Sequence, residues 1–182
     1  MQHSTSLRFA AIAMVVAGLA AATSAAPAAA PWTPDPWRSQ VAWISPAQFD
    51  PRSIDGKVTI VEFWTFSCIN CRRTTPAMRA LHHRFGADVA IVGVHTPEFE
   101  HERDPAAVRA AIARDRIDWI VAQDNDQRAW SAFHNQYWPA LYVLDRAGRV
   151  RHVHVGELHE GTARWKEFVK VVDALRREPA KT

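Results

Sequence analysis

The chain contains two cysteines, Cys68 and Cys71, and they stand three positions apart. The largely apolar residues 58–64 precede them and predict a buried strand. Residues 69–85 follow, with apolar residues at the spacing of one helix face. A Cys-x-x-Cys pair at a strand-to-helix junction predicts a redox-active dithiol. The helix N-terminus lowers the pKa of the first thiol, and the second thiol lies one turn away.

The N-terminal residues support the redox interpretation. Residues 1–8 contain Arg8 and no acid, residues 9–22 are apolar, and residues 23–26 are small. This order predicts a secretory signal peptide over residues 1–26, too short to span a bilayer comfortably. We therefore expect a periplasmic or extracellular protein. The alternative is an uncleaved signal that tethers the protein to the membrane by its N-terminus.

The remainder of the chain is expected to form one domain. Residues 27–39 are rich in alanine and proline and predict an extended linker. Residues 40–182 contain neither an internal repeat nor a second linker. The 22 basic and 19 acidic residues of the whole chain are scattered along it, so we expect no nucleic-acid partner. A disulfide that closes so small a loop is a poor structural staple, which again favours a chemical role for the cysteines.

Strands and helices alternate along this domain. Strands are expected at residues 58–64, 89–95, 119–122, 140–144 and 149–155. Helices are expected at residues 69–85, from 104–105 onward, near 127–133, and after the capping residue Thr162. Residues 145–148 form a tight-turn sequence, so the last two strands should pair as an antiparallel hairpin. The order predicts an α/β fold with a mixed central sheet and helices on both faces.

Three stretches of the sequence carry a family resemblance. They are EFWTFSCINC (residues 62–71), HTPEF (residues 95–99) and NQYWPA (residues 135–140). Over residues 40–176 the chain resembles the thioredoxin superfamily, and it is similar to the TlpA-like periplasmic branch. In particular it resembles the thioredoxin-like domain of DipZ-type thiol-disulfide interchange proteins. The resemblance implies a thioredoxin-like fold, and it implies a membrane electron-transfer protein as a separate redox partner, because we expect no membrane span after residue 26.

The two thiols are expected to have different roles. Cys68 is the predicted nucleophile, since unpaired N–H groups at the helix start and the nearby Arg72 and Arg73 stabilise a thiolate. Cys71 is the predicted resolving thiol, which breaks the mixed disulfide. Two alternatives remain: an inert buried pair, and half of a zinc site completed by histidines.

Glu62 is a further candidate catalytic residue. An ionised carboxylate inside a buried strand is costly, so an acid at this position calls for a reason. Burial should raise its pKa toward neutrality, which suits general acid–base catalysis. The resemblance implies that Glu62 relays a proton to the resolving thiol. The alternative is that Glu62 lies near a sheet edge or pairs with Lys57.

Candidate substrate-binding residues lie around Pro139. Proline is tolerated where it opens a strand, and the preceding Trp138 somewhat favours the cis isomer. The resemblance implies a cis-proline loop that faces the dithiol and binds substrate backbone; the alternative is an ordinary trans proline. We expect Trp138 and Phe66 to contact substrate, and Trp64 to belong to the core. The resemblance also suggests a place for Glu98 on a loop beside the dithiol.

Histidines provide a second possible chemistry. His152 and His154 alternate along a strand and should point to one face. With His159 they form a candidate transition-metal site, although most surface histidines bind nothing.

Taken together, these features predict an exported thiol-disulfide oxidoreductase that needs no metal or organic cofactor. Its expected partners are exported proteins that contain disulfides or dithiols. The resemblance favours a reductive role, in cytochrome c maturation or in periplasmic thiol maintenance. The alternatives are a disulfide-forming oxidant, a copper- or zinc-handling module, and a passive interaction domain.

Overall fold

A computed structural model describes residues 33–34 and 36–179; the predicted signal peptide lies outside the described residues. Six strands form one sheet in the order β1-β4-β3-β2-β5-β6. The strands are β1 (Ala42–Ser45), β2 (Val58–Trp64), β3 (Val89–His95), β4 (Ile120–Gln123), β5 (Ala140–Leu144) and β6 (Val150–Val155). The helices are α1 (Ile69–Phe85), α2 (Pro105–Arg114), α3 (Arg128–Ala132) and α4 (Ala163–Arg177). Within the described ranges, no helix is long and apolar enough to cross a membrane.

The sheet is mixed, as predicted. Strands β2, β3 and β4 are parallel, whereas β1 runs antiparallel to β4, and β5 runs antiparallel to both β2 and β6. Every residue of β2 is buried, because this strand lies in the middle of the sheet and both of its faces are covered. The predicted hairpin is confirmed: β5 and β6 pair across residues 145–148, and the Gly148 N–H donates to the Asp145 carbonyl at 2.9 Å.

Helices cover both faces of the sheet, as predicted, but unequally. The right-handed crossovers from β2 to β3 and from β3 to β4 advance in the same direction, so α1 and α2 lie on one face. Helix α4 joins them there, and its apolar residues, including Phe168 and Val172, pack in one cluster with Met78 of α1 and Val108 of α2. On the opposite face, the short α3 and Phe133 pack with residues of β2 and β5.

Among the described residues, the end of the predicted linker, residues 27–39, is packed against the domain. Residues Trp37–Ser39 form a 3-10 helix, and the Trp37 side chain is buried. Its ring centroid lies 5.6 Å from that of Phe133, edge to face. The earlier part of that predicted linker, up to residue 32, lies outside the described residues.

The structure differs from the sequence prediction at three short elements. Strand β4 begins at Ile120, one residue later than predicted, and the Trp119 before it is buried. Helix α3 begins at Arg128, since Gln127 adopts the left-handed conformation with φ at 55°. Strand β1 was not predicted from the sequence. This strand has four residues at the sheet edge, and only one of them is buried, so its apolar pattern is weak.

Candidate active site

The dithiol lies at the junction between strand β2 and helix α1. Strand β2 ends at Trp64, and the Cys68 N–H closes a turn onto the Thr65 carbonyl at 3.3 Å. Cys68 is the N-cap of α1, and its Sγ accepts a hydrogen bond from the Cys71 N–H at 3.2 Å. Cys68 is half-buried and Cys71 is buried, and both are free thiols. The helix start therefore directs a backbone donor at the first sulfur, as the sequence predicts.

The two thiols differ in acidity because one hydrogen bond acts on them in opposite directions. The Cys71 thiol donates to Cys68, and together with the backbone N–H groups of Cys71 and Asn70 it lowers the pKa of Cys68 to about 7, although burial opposes this shift. The same hydrogen bond is the main cause that raises the pKa of Cys71, and burial is the second cause. Near neutral pH the pair therefore holds one reactive thiolate and one thiol that keeps its proton.

Hydrogen bonds, rather than the neighbouring arginines, account for the acidity of Cys68. Arg72 and Arg73 are both exposed, and Arg73 forms an ion pair with Glu157 at 3.2 Å. The predicted contribution of these two charges is therefore screened by water.

Glu62 lies beneath the dithiol. Glu62 is 3% exposed. It lies on the same face of β2 as Ile60 and Trp64, which belong to the hydrophobic cluster on the α1 side of the sheet. Its strand pairs with β3 on one side and β5 on the other. The alternative that places Glu62 at a sheet edge is therefore wrong. The pairing with Lys57 is also wrong, because none of the described residues forms an ion pair or a hydrogen bond with the Glu62 carboxylate.

This isolation gives Glu62 an unusual acidity. Burial is the main cause that raises the pKa of Glu62 to about 8, and the charge of Cys68 raises it further. In turn, the charge of Glu62 raises the pKa of Cys71. Glu62 and both thiols thus form one electrostatically linked group, in which a proton can be held or accepted near neutral pH.

Gly93 makes room beside Glu62. It is the partner of Glu62 in the parallel register between β2 and β3. A Cβ atom at Gly93 would lie 2.9 Å from Trp64 Nε1 and 3.2 Å from Trp119 Nε1, closer than such contacts normally allow. A glycine at this position therefore lets two indole rings cover the strand next to the buried carboxyl group, which keeps water away from it.

A second buried carboxylate, that of Glu102, joins two loops at the same end of the sheet. The Ser67 hydroxyl donates to Glu102 Oε1, and the backbone N–H groups of Glu98 and Phe99 donate to Oε2 at 2.6 and 2.9 Å. Burial alone would raise the pKa of Glu102, but these hydrogen bonds and one from Thr65 outweigh it, and the net shift is downward. Glu102 thereby fixes the residue before Cys68 to the loop that follows β3.

His95 ends β3 beside this carboxylate. It is fully buried, and its Nε2 lies 3.3 Å from Thr65 Oγ1 and 3.4 Å from the Phe66 N–H donor. Burial lowers the pKa of His95 to about 4, although the charge of Glu102 opposes the shift. The imidazole is therefore neutral at physiological pH, and it braces the turn that leads to Cys68.

The peptide bond between Trp138 and Pro139 is cis, as the resemblance implies. Trp138 Nε1 donates to the Thr96 carbonyl at 3.1 Å, and the Trp138 ring packs on Trp130 with centroids 4.1 Å apart. The Pro139 carbonyl already accepts a hydrogen bond from the Gly156 N–H at 2.9 Å. The Pro139 carbonyl is therefore already engaged within the fold, and substrate binding by Trp138 and Pro139 stays a prediction.

The aromatic residues after β2 divide between core and surface. Trp64 is buried in the core, as predicted. Phe66 is half-buried, and its ring stacks on His95 with centroids 5.4 Å apart. Its role as a substrate contact stays a prediction. The exposed Glu98 does lie near the dithiol, since its charge raises the pKa of Cys68.

The candidate histidine site is occupied by other contacts. His152 and His154 do share a face, where both rings pack against Phe168. His154 Nε2 lies 3.1 Å from the Glu157 carbonyl, and His159 pairs with the Glu157 carboxylate at 2.7 Å. Across residues 33–34 and 36–179, no three histidine, cysteine or acidic side chains are grouped so as to hold a metal ion.

Sequence reasoning missed His95 and Glu102 as parts of the site. His95 had a usable signal, because a polar residue that ends a buried parallel strand lies at the carboxyl edge of the sheet, beside the end of β2. Glu102 had none. It is one of three glutamates in residues 98–102, and nothing in their order distinguishes the buried one.

Comparison with known proteins extends these observations. The model of the AhpC/TSA family matches residues 43–153. Protein DipZ of Mycobacterium tuberculosis is 39% identical over 109 residues, which cover 59% of this chain but 16% of DipZ. Thiol-disulfide oxidoreductase YkuV of Bacillus subtilis is 30% identical over 115 residues, covering 63% of this chain and 78% of YkuV. The crystal structure of a thiol-disulfide isomerase from Corynebacterium glutamicum shares the fold, with a TM-score of 0.66 and 21% identity over 81% of this chain and 95% of that one.

Proposed function

Because this chain belongs to the AhpC/TSA family of thioredoxin-like proteins, we propose that it is a thiol-disulfide oxidoreductase that exchanges its dithiol with disulfides of other proteins. The observation that carries the proposal is the division of labour between the thiols. Cys68 has a pKa of about 7, while the buried Cys71 retains its proton beside Glu62. The relative YkuV is named for the same activity.

The first step is attack on the substrate. The Cys68 thiolate attacks one sulfur of a substrate disulfide; a bond forms between Cys68 Sγ and that sulfur, and the substrate S–S bond breaks. The released substrate thiolate takes a proton from water. Cys68 is then part of a mixed disulfide and carries no charge.

The loss of that charge prepares the second step. The charge of Cys68 is one of the two causes that raise the pKa of Glu62, so the formation of the mixed disulfide favours ionisation of Glu62. The carboxylate accepts the proton of Cys71, whose thiolate attacks Cys68 Sγ and displaces the second substrate thiolate. The second substrate thiolate takes the former Cys71 proton from Glu62. Two electrons have then passed from the enzyme dithiol to the substrate disulfide, and the two protons on the reduced substrate come from water and from Cys71.

We further propose that the direction is reductive and that the protein works outside the cytoplasm. The pKa of Cys68, about 7, is similar to the pKa of the thioredoxin nucleophile, about 7. It differs from the pKa of the nucleophile in the strong oxidant DsbA, about 3.5. The signal-like residues 1–26 and the similarity to DipZ support export. The substrates are exported proteins with disulfides, including apocytochromes c, and a membrane electron-transfer protein reduces the enzyme again.

Trapping experiments test the activity. With a disulfide-containing peptide, the Cys71→Ser variant should accumulate a mixed disulfide through Cys68, because no resolving thiol is present. The Cys68→Ser variant should show no turnover. Alkylation of wild-type Cys68 by iodoacetamide should rise with a midpoint near pH 7; a midpoint near that of free cysteine, about 8.5, would contradict the proposal.

Equilibration with glutathione buffers tests the direction. A reduction potential near that of thioredoxin, about −270 mV, supports the reductive role, and a value near that of DsbA, about −120 mV, contradicts it.

A further inference from the structure

Most of the arginines in the described residues are paired with carboxylates, as in the ion pairs of Arg38, Arg52, Arg84, Arg103, Arg114, Arg149, Arg151 and Arg176. Seven of the described arginines form no ion pair with any described residue. Arg146, Arg164 and Arg177 lie elsewhere on the surface, and the other four are Arg72, Arg79, Arg109 and Arg116. These four side chains line one continuous stretch of surface. A concentration of uncompensated positive charge in a chain otherwise rich in ion pairs indicates a surface for an anionic partner.

The surface consists of two open hollows that meet at Arg79. The first, of about 340 Å³, is lined by Ile69, Arg72 and Arg79 among others. The second, of about 580 Å³, is lined by Arg79, Arg109, Arg116 and apolar residues of β1 and α2. We call the two together the arginine groove. Because Ile69 directly follows Cys68, the groove begins beside the nucleophile.

The acidic residues near the groove do not neutralise it. Asp115 pairs through its carboxylate with Arg114 at 2.6 Å and offers Arg79 only its backbone carbonyl, at 2.8 Å. Asp118 is the one carboxylate that lines the second hollow, against three arginines, and it lies 3.2 Å from the His82 ring. The guanidinium groups of the groove therefore remain available to external carboxylates.

The floor of the groove is apolar. Ile44, Ile112 and Ile117 line the second hollow between its arginines. An apolar floor with a rim of guanidinium groups suits a polypeptide segment in which acidic and apolar side chains alternate. A small inorganic anion would use the rim and leave the floor uncovered.

We propose that the arginine groove binds an acidic segment of the substrate polypeptide, next to the disulfide that is exchanged. This inference rests on the proposed function and adds a substrate class to it. The rise of α1 from Ile69 to Arg79 is about 15 Å. An extended chain covers that distance in about five residues. Acidic residues that begin about five positions beyond the reactive cysteine would therefore reach Arg79 and the second hollow.

Two disulfide-bonded peptides test the inference. One carries four glutamates that begin five residues beyond a cysteine, and the other carries glutamines at the same positions. With reduced full-length protein at low salt, kcat/KM should be about 3- to 10-fold higher for the acidic peptide, since exposed ion pairs each contribute modestly. The preference should shrink in 0.5 M NaCl because salt screens exposed charges.

Two double variants locate the effect. Arg109→Gln with Arg116→Asn should lower the preference for the acidic peptide, because two of the four groove arginines lose their charge. Asparagine is chosen because Arg116 has a φ of 51°, and asparagine tolerates that conformation. Arg164→Gln with Lys170→Gln removes the same charge from exposed positions of α4 and should keep the preference.

Equal kcat/KM values for the two peptides with the wild-type protein would overturn the inference and leave the proposed function intact. An equal loss of preference in the α4 double variant would also overturn it, because net charge alone would then explain the effect. Absence of exchange with either peptide would instead overturn the proposed function.

Discussion

Two buried carboxyl groups flank the dithiol, and their pKa values are shifted in opposite directions. Glu62 on β2 is 3% exposed, and Glu102 in the loop after β3 is fully buried. The pKa of Glu62 is raised to about 8, mainly by burial. Burial acts on Glu102 as well, but its hydrogen bonds bring the pKa below the ordinary value. Burial by itself therefore does not determine the charge of an acid in this site.

The backbone explains the difference. Glu62 lies in a central strand, where the N–H groups of the surrounding residues are engaged in the ladders with β3 and β5. Glu102 lies in the 3-10 helix Glu100–Arg103, and the N–H groups of Glu98 and Phe99, in the loop before this helix, have no strand partner and donate to its carboxylate. In a central strand the backbone N–H groups are already paired with neighbouring strands, whereas in a loop they are free to donate to a buried carboxylate.

The largest expected effect of removing either acid is on the resolution step. Glu62→Gln should slow the release of substrate from the mixed disulfide by about 100-fold, because it removes a positioned base and keeps the side-chain shape. Single-turnover kinetics with a preformed mixed disulfide measure this rate. Glu102→Gln is the matched control and should change it far less. Unchanged kinetics of Glu62→Gln between pH 6 and 8 would exclude the proton role.

The second effect is on stability, and its sign should differ between the two acids. At pH 8.5, Glu62→Gln should increase the free energy of unfolding by about 1–3 kcal/mol, because the wild-type protein buries an unpartnered charge. Glu102→Gln should decrease it by about 1–3 kcal/mol, because hydrogen bonds to a charged acceptor are lost. Denaturation in urea measures both differences. Equal signs for the two variants would contradict the contrast.

The third effect is the pH dependence of these differences. The folded state holds the proton of Glu62 more tightly than the unfolded state, so the stability contribution of Glu62 falls as the pH rises from about 4.5 toward 8. Glu102 has the opposite sign. Its contribution is present above the unfolded-state pKa of about 4.3 and is lost as the pH falls through its lower folded-state value. Both variants should therefore approach the wild-type free energy of unfolding toward pH 4 and differ from it with opposite signs toward pH 9, with Glu62→Gln more stable and Glu102→Gln less stable than wild type.

The smallest effect concerns Glu98, whose N–H is held by Glu102. The charge of Glu98 raises the pKa of Cys68, so Glu98→Gln should lower that pKa and speed alkylation of Cys68 at pH 6 by about twofold. Glu100→Gln is the control, because Glu100 is exposed in the same loop and pairs with Arg103 at 3.0 Å. Equal alkylation rates in the two variants would remove Glu98 from the set of groups that tune the thiol.

The parts of the molecule that follow from local pattern were predictable. The bounds of α1, β2, β3 and β5 agree with the sequence prediction because long apolar periods and clear helix signals define them. The buried Glu62 was predictable for the same reason, since an acid interrupts an otherwise apolar strand.

Features that depend on long-range contacts were not predictable. Glu102 meets Ser67 across 35 positions of sequence, and Trp138 meets Thr96 across 42. Neither partner is distinguished by its own neighbours. Strand β1 is likewise defined by its pairing with β4 and not by its own pattern.

One consequence of the N-cap position of Cys68 concerns the resting state of the protein. The same sulfur is the proposed nucleophile and the acceptor that completes the first turn of α1. An anionic sulfur accepts that hydrogen bond more strongly than a sulfur in a disulfide, so electrons stored in the dithiol also tighten the end of the helix. The exchange rate of the Cys71 amide hydrogen with deuterium should therefore report the fraction of the protein in the reduced dithiol form, without any substrate present.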